Sequence, residues 1–241
     1  MKKSKLREEN ETGLMANTSE VIPIPSATVI LLRNGGAGLE TLLLRRNSRI
    51  AFHGGAWVFP GGRIDPEDYP EGTRKDDLAA ARQAAVREAQ EEAGLSIDRD
   101  ALVWISHWTT PMGRPERYAT WFFAAVAGSE AVQIDGSEIH DHRWMRPDHA
   151  LTAQRTQEIE LPPPTFVTLT KLSAYRSATE ALSAFARKEP EIFTPRFHKV
   201  EGGACTLYAE DAGYETGELH HSGRRHRLWM IESGWRYENT V

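Results

Sequence analysis

The sequence predicts an α/β fold, and three observations carry that expectation. A β-branched, apolar run at Ala27–Leu32 is answered by a second strand-like run at Glu40–Arg46 across a glycine-rich turn, the pattern of a hairpin. A helical period then runs from Leu78 to Ala93 and stops at Gly94. Two aromatic-rich runs, Ala101–Thr109 and Arg117–Val126, return to strand patterning after it. Strands on both sides of a single amphipathic helix call for a sheet with helical cover.

Taken in order, residues 1–20 are charged at the start and lack an apolar core segment, so they are expected to be a disordered tail rather than a secretory signal. Order is expected from Val21. Asn34-Gly35-Gly36-Ala37-Gly38 supplies the hairpin turn. Arg45, Arg46 and Arg49 then concentrate positive charge at the end of the second strand. A planar guanidinium fork suits phosphate, which makes Arg45 and Arg46 candidate substrate contacts. The run Phe52–Phe59 leads into Phe59-Pro60-Gly61-Gly62, a strand breaking into a tight loop where the backbone approaches another group closely. Trp57 and Phe59 are expected to be half core and half pocket wall, with Trp57 and the neighbouring His53 able to touch a substrate.

The helix carries the chemistry. In Arg87-Glu88-Ala89-Gln90-Glu91-Glu92-Ala93-Gly94-Leu95, three- and four-residue spacings put Glu88, Glu91 and Glu92 on one arc. Glu-rich helix faces are usually solvated surface. Here, however, three carboxylates crowd the last two turns, where they repel one another and where the dipole disfavours anions by roughly 0.3–1 kcal/mol each. A hard divalent cation among them resolves both conflicts, and oxygen ligands suit Mg²⁺ or Mn²⁺. Leu78, Ala85, Val86, Ala89 and Ala93 form the neighbouring apolar stripe, small enough for the helix to lie close to a sheet. Arg87 stands one turn before Glu91 and is placed to orient it.

Beyond the two aromatic strands, which carry Trp104, Trp108, Tyr118, Trp121, Phe122 and Phe123, a polar turn and the alternating stretch Glu138–Trp144 follow. Aromatic side chains on such strands are core by default, and one or two are available to stack on a base or an acyl group. Asp148–Glu160 is expected to be helical and to be ended by Leu161-Pro162-Pro163-Pro164. A helical period then continues from Phe166 to Arg187. Residues 190–241 read as β-rich, with Ala204–Ala209 and His226–Ile231 as a hairpin around a loop at Glu215–Arg225.

Bulk properties narrow the function classes. The 241 residues carry 29 Lys and Arg against 34 Asp and Glu, a net charge of -5, which is no footprint for nucleic acid or an anionic membrane. No apolar run approaches the ~20 residues of a membrane span. The single cysteine, Cys205, excludes an internal disulfide and fits a reducing compartment, so a cytoplasmic protein is expected.

The stretch Arg87–Leu95, with Gly61-Gly62 upstream, resembles the signature of the Nudix hydrolases. That signature runs Gly, five residues, Glu, seven residues, then Arg-Glu-apolar-x-Glu-Glu-x-Gly-apolar. The second half matches at every fixed position. The middle departs: Asp68 stands in place of the first Glu, and residues 69–77 read as an inserted polar loop. The resemblance implies a three-layer α/β/α sandwich around a mixed sheet over residues 21–160, with 161–241 as a helical and β-rich extension packed on that core. It further implies hydrolysis of a nucleoside diphosphate linked to another moiety. Glu88, Glu91, Glu92 and the carbonyl of Gly61 would hold Mg²⁺ or Mn²⁺, with Arg87 orienting the glutamates. Nudix enzymes often carry an acidic residue some six positions before a Trp on the loop facing the metal, and Glu138 matches that place before Trp144, with Asp141 at the next plausible place. Glu138 is thus the candidate base or additional ligand, and His140 its competitor.

A second resemblance is to the peroxisomal branch that cleaves coenzyme A, through Leu43–Ser48, Phe52–Gly62, the insertion, Leu161–Pro164 and the C-terminal extension. That branch places an Arg where Ala51 stands, and the present chain ends in Glu238-Asn239-Thr240-Val241 rather than a peroxisomal tripeptide. The expected partner is a nucleotide-like small molecule such as coenzyme A or acyl-coenzyme A, with no nucleic acid and no membrane, and a homodimer is compatible with all of this. The alternatives are a binding or regulatory module of the same fold and a hydrolase of RNA 5′ ends.

Overall fold

Strand β1 (Ile24–Gly35) sets the layering, because its apolar side chains alternate between two separate cores. The structure, a computed structural model, describes residues 21–48, 54–70 and 77–240. The tail expected over 1–20, His53, Arg49, Ala51 and most of the inserted stretch 69–77 lie outside the described residues.

Strand β2 (Gly38–Arg46) returns antiparallel to β1, with Gly35 opposite Gly38 at the turn. Strands β3 (Trp57–Val58) and β4 (Gly61–Arg63) pair antiparallel with β2 and β1 respectively. Helix α1 (Asp77–Ala93) follows, then β5 (Val103–Thr109) and β6 (Tyr118–Val126), an antiparallel pair of which β6 lies parallel to β1. Strand β7 (Ile139–Met145) pairs antiparallel with β2. Helices α2 (Pro147–Arg155), α3 (Pro163–Leu172) and α4 (Ala178–Ala186) lead to β8 (Glu191–Phe193), which closes the far edge parallel to β5. The sheet is mixed, in the order β3-β2-β1-β6-β5-β8, with β4 on β1 and β7 on β2. Strands β9 (Arg196–Val200), β10 (Gly203–Leu207), β11 (His226–Ile231) and β12 (Gly234–Asn239) form a second, antiparallel sheet.

On one face of the large sheet, Ala27, Val29 and Leu31 of β1 with Leu42 and Leu44 of β2 meet Ala81, Ala84, Ala85, Ala89 and Ala93 of α1. On the other, Ile30, Leu32 and Leu43 meet α2, α3 and α4 through Ala150, Phe166, Leu169, Leu172 and Ala181. This is the expected α/β/α sandwich. A strand covered on both faces reads as a continuous apolar run, which is why Ala27–Leu32 shows no alternation in sequence. Arg82, whose place within the apolar arc of α1 has no explanation in sequence, donates to the carbonyls of Leu102 at 2.6 Å and Arg99 at 3.4 Å, with its guanidinium over the Phe123 ring.

Two helical expectations are corrected. The helix expected over Asp148–Glu160 stops at Arg155, and Gln157 adopts a left-handed φ of 60° just after it. The prolines therefore do not end that helix. Pro163 and Pro164 open α3, where a missing N–H has no helical acceptor to lose. The period from Phe166 to Arg187 is likewise two helices, because the Ser177 hydroxyl accepts from Glu180 N at 3.2 Å and caps a new start. The expected hairpin of β10 and β11 forms, with Cys205 opposite Trp229. Its sheet docks on the core through an aromatic cluster in which Trp108 stacks on Phe193 at 3.7 Å and Tyr208 meets both edge-on.

Candidate active site

The site begins with two glycines. Gly61 pairs with Thr28 across β4 and β1, so close that a Cβ on it would lie 2.5 Å from both the Ala27 carbonyl and the Thr28 hydroxyl. A Cβ on Gly62 would lie 2.2 Å from Glu88 Oε1. The Gly-Gly pair thus presses backbone against β1 on one side and admits a helix carboxylate on the other. In the same place, Gly61 N donates to Glu92 Oε2 at 2.9 Å.

Arg87 joins the loop to the helix. Its Nε and Nη2 donate to the two carboxylate oxygens of Asp68 at 3.2 and 3.0 Å, a fork on a side chain that is itself buried. Nη2 also donates to the Arg63 carbonyl at 2.9 Å, and Nη1 to Glu88 at 2.8 Å and Glu91 at 2.9 Å. Asp68 is held from its own side by a short 3-10 turn (Pro66–Asp68), in which it accepts from Asp65 N at 2.9 Å. The residue that departs from the family signature therefore clamps the arginine that reaches the glutamates. Sequence spacing hid this contact, since nineteen positions separate the pair.

The carboxylates are not equivalent. Glu91 is 58% exposed and bound to Arg87. Glu92 is 6% exposed, and burial pushes its carboxyl up to about 8, against the lowering effect of the Gly61 amide; Glu88 and Glu138 raise it further and Arg46 opposes them. Burial also raises Glu88, with Arg87 acting in the opposite direction. Among the described residues no three His, Cys, Asp or Glu side chains are gathered closely enough to hold a cation. The donor set nonetheless fits one: two desolvated, mutually repelling carboxylates with raised pKa values are what a divalent ion relieves, and hard oxygen ligands suit Mg²⁺ or Mn²⁺.

A third side of the site comes from β2 and the loop into β7. Glu138 begins that loop's return, with Arg46 Nη2 at 3.8 Å from its carboxylate. Arg46 Nε is buried with no hydrogen-bond partner among the described residues. Arg45 is exposed and lies opposite Trp57 and Asp141 on the neighbouring strands. Trp57 is 3% exposed inside the core that faces α2–α4, and the Arg143 guanidinium covers its ring at 4.8 Å. The structure thus brings Arg46 to the glutamates and sets Trp57 in the packing. His140 is exposed, and Asp141 accepts from the amide of His142 at 2.8 Å. The close approach expected at Gly61-Gly62 is to Glu88, for which the missing side chain of Gly62 makes room. One contributor escaped the sequence reading: Asp135, whose Asp-Gly-Ser context is a turn signal that marks a carboxylate capping its own backbone.

A family model described as the NUDIX domain matches residues 23–164. Among curated proteins, "Putative nudix hydrolase 7" of Caenorhabditis elegans is 27% identical over 170 residues, covering 56% of this chain and 56% of that protein. The chain thus spans little more than half the length of that relative. "Acyl-coenzyme A diphosphatase NUDT19" of Xenopus laevis is 22% identical and is matched over 83% of each chain. The crystal structure of a NUDIX hydrolase from Alicyclobacillus acidocaldarius superposes with a TM-score of 0.61 at 24% identity, over 70% of this chain and 99% of that one, a likeness of fold.

Proposed function

The chain belongs to the NUDIX domain family, and from that premise we propose that it is a divalent-metal-dependent pyrophosphohydrolase acting on a nucleoside diphosphate linked to another moiety, with coenzyme A or acyl-coenzyme A as the substrate class. The observation that carries the reading is the pair Glu88 and Glu92: desolvated carboxylates beside Gly61-Gly62, the first oriented by Arg87 and the second by the Gly61 amide. Support for the substrate class comes from the relative named as an acyl-coenzyme A diphosphatase, matched over 83% of both chains.

In this reading Glu88, Glu91, Glu92 and the Gly61 carbonyl hold Mg²⁺ or Mn²⁺. Such an ion, when bound, would neutralise phosphate charge and lower the pKa of bound water, so that its deprotonated form could attack phosphorus as the bridging P–O bond breaks. Arg87, tied to Asp68, fixes the directions of Glu88 and Glu91 and is too fully occupied to serve the substrate. Arg46, whose Nε has no partner among the described residues, contacts a phosphate oxygen, with the exposed Arg45 beside it. Glu138, paired to Arg46 and mostly exposed, accepts the proton from the attacking water. Trp57 acts from within the packing, as the cross-strand neighbour of Arg45 on β2.

A panel of coenzyme A, acyl-coenzyme A, ADP-ribose, NADH, dinucleoside polyphosphates and 5′-triphosphate RNA, assayed with Mg²⁺ or Mn²⁺ and product identification, tests this. Cleavage of the pyrophosphate of coenzyme A or its thioesters is the expected result. Glu92→Gln and Glu91→Gln are each expected to cut turnover about 100-fold or more, upwards of ~2.7 kcal/mol of transition-state stabilisation, with an unchanged circular-dichroism spectrum. Unchanged turnover in both variants removes these two from the ligand set.

A further inference from the structure

The loop before β7 is held more firmly than a surface connection needs to be. Asp135 accepts from three successive backbone amides, Ser137 N at 3.0 Å, Glu138 N at 2.8 Å and Ile139 N at 2.9 Å, and from the Ser137 hydroxyl. Gly136, at a φ of 74°, supplies the left-handed step that lets the three amides face one carboxylate. From the opposite side, Asn47 donates its backbone N–H to the Glu138 carbonyl at 2.7 Å and its side-chain amide to the Ser137 carbonyl at 3.0 Å. The start of the loop is tied to the catalytic helix itself: Gln133 N donates to the Ala93 carbonyl at 2.8 Å, and its backbone lies against Gly94. Both ends of Glu138's peptide are thereby fixed relative to the helix that carries Glu88 and Glu92.

We infer that Asp135 is a positioning residue for the reaction, setting where the Glu138 carboxylate stands relative to Glu88 and Glu92. This rests on the assignment of Glu138 as the base proposed above. A carboxylate suits the task because several N–H donors on one charged acceptor are stronger and more directional than the neutral hydrogen bonds of an ordinary turn. Burial acts to raise Asp135, yet the bonds from Glu138, Ser137 and Ile139 outweigh it and hold the carboxyl down to about 2, so it is an anion across the working range of such an enzyme. Most of its acceptor capacity is spent on this loop, which is why it acts through Glu138 rather than on a substrate. Supporting groups of this kind typically change activity 10–100-fold when removed.

The test is a double-mutant cycle on the full chain with Mg²⁺ and coenzyme A, repeated with ADP-ribose, together with amide exchange at residues 137–139. Asp135→Ala is expected to lower kcat about tenfold or more with little change in KM, and to speed exchange at those three amides. Asp135→Asn, whose side-chain oxygen still accepts from the backbone, is expected to restore most of both. In a Glu138→Gln background, Asp135→Ala is expected to cost less than a further twofold. Full activity of Asp135→Ala, an undiminished loss in the Glu138→Gln background, or no difference between Ala and Asn overturns the inference. A silent Glu138→Gln overturns the assignment of the base, and the inference with it. A costly Glu138→Gln beside a silent Asp135→Ala overturns the inference alone.

Discussion

At the residue scale the site is a contest between crowding and neutralisation, and two substitutions separate them. Gly62→Ala puts a methyl where Glu88 Oε1 now lies, so it is expected to displace that carboxylate and lower turnover at least tenfold while leaving the melting temperature near that of the wild type; an unchanged rate shows that Glu88 needs no such closeness. Asp68→Ala removes the buried half of the Arg87 fork. Breaking a buried pair leaves an uncompensated charge, but Arg87 keeps Glu88 and Glu91, so about 3 kcal/mol is expected, a fall in Tm of roughly 6–12 °C. Because the guanidinium then no longer fixes the glutamates, kcat is expected to drop about 10–100-fold as well. A thermal scan and a steady-state assay check the two halves separately. The helix carboxylates and Gly94 were legible in sequence because periodicity places them on one face and at one stop. The pairing of Arg87 with Asp68 was not, since the intervening insertion lengthens the gap that separates the two in the chain.

Secondary-structure elements show which sequence signals survive tertiary context. The hairpin β1–β2 and helix α1 are readable because each is a local pattern, a turn between strands or a small-residue stripe. The break between α3 and α4 was hidden, because apolar side chains on both helices face the same core and so preserve one continuous rhythm. The second sheet carries the clearest dependence on pH. Arg227 and Asp211 form a fork at 2.6 and 2.7 Å with both side chains buried. Burial acts to raise Asp211, but Arg227 and the amides of His226 and Gly213 hold it below the usual carboxylate value. Burial lowers His226, a shift the bond to the Ala209 carbonyl only partly offsets. Both folded pKa values are depressed, so each group's contribution is complete above its unfolded pKa and is lost as pH falls through the folded one. The sheet is expected to lose protection in two steps, the first below about 6.5 and the second below about 3.9. Amide exchange over β10 and β11 reads both. His226→Phe is expected to remove the first step, and persistence of that step in the variant assigns it to another group.

For the whole molecule, the second sheet and helices α3 and α4 are packed into the large sheet rather than appended to it. Phe166, Leu169, Leu172, Ala181 and Phe193, all C-terminal to residue 160, belong to the same apolar cluster as Ile30, Leu32 and Leu43. A fragment of residues 21–160 is therefore expected not to fold alone, and the full chain is expected to melt in one transition; a soluble fragment with a native near-ultraviolet spectrum contradicts this. The sandwich and the acidic end of α1 could be reasoned from the sequence, whereas the walls that select a leaving moiety depend on distant segments meeting in space. The central claim is that Glu88 and Glu92 share a divalent ion beside Gly61-Gly62. It is tested most directly by titrating Mn²⁺ into the protein in the presence of coenzyme A and following the ion by electron paramagnetic resonance. The wild type is expected to bind the ion and Glu88→Gln/Glu92→Gln to lose that binding, whereas equal uptake by the two proteins contradicts the account.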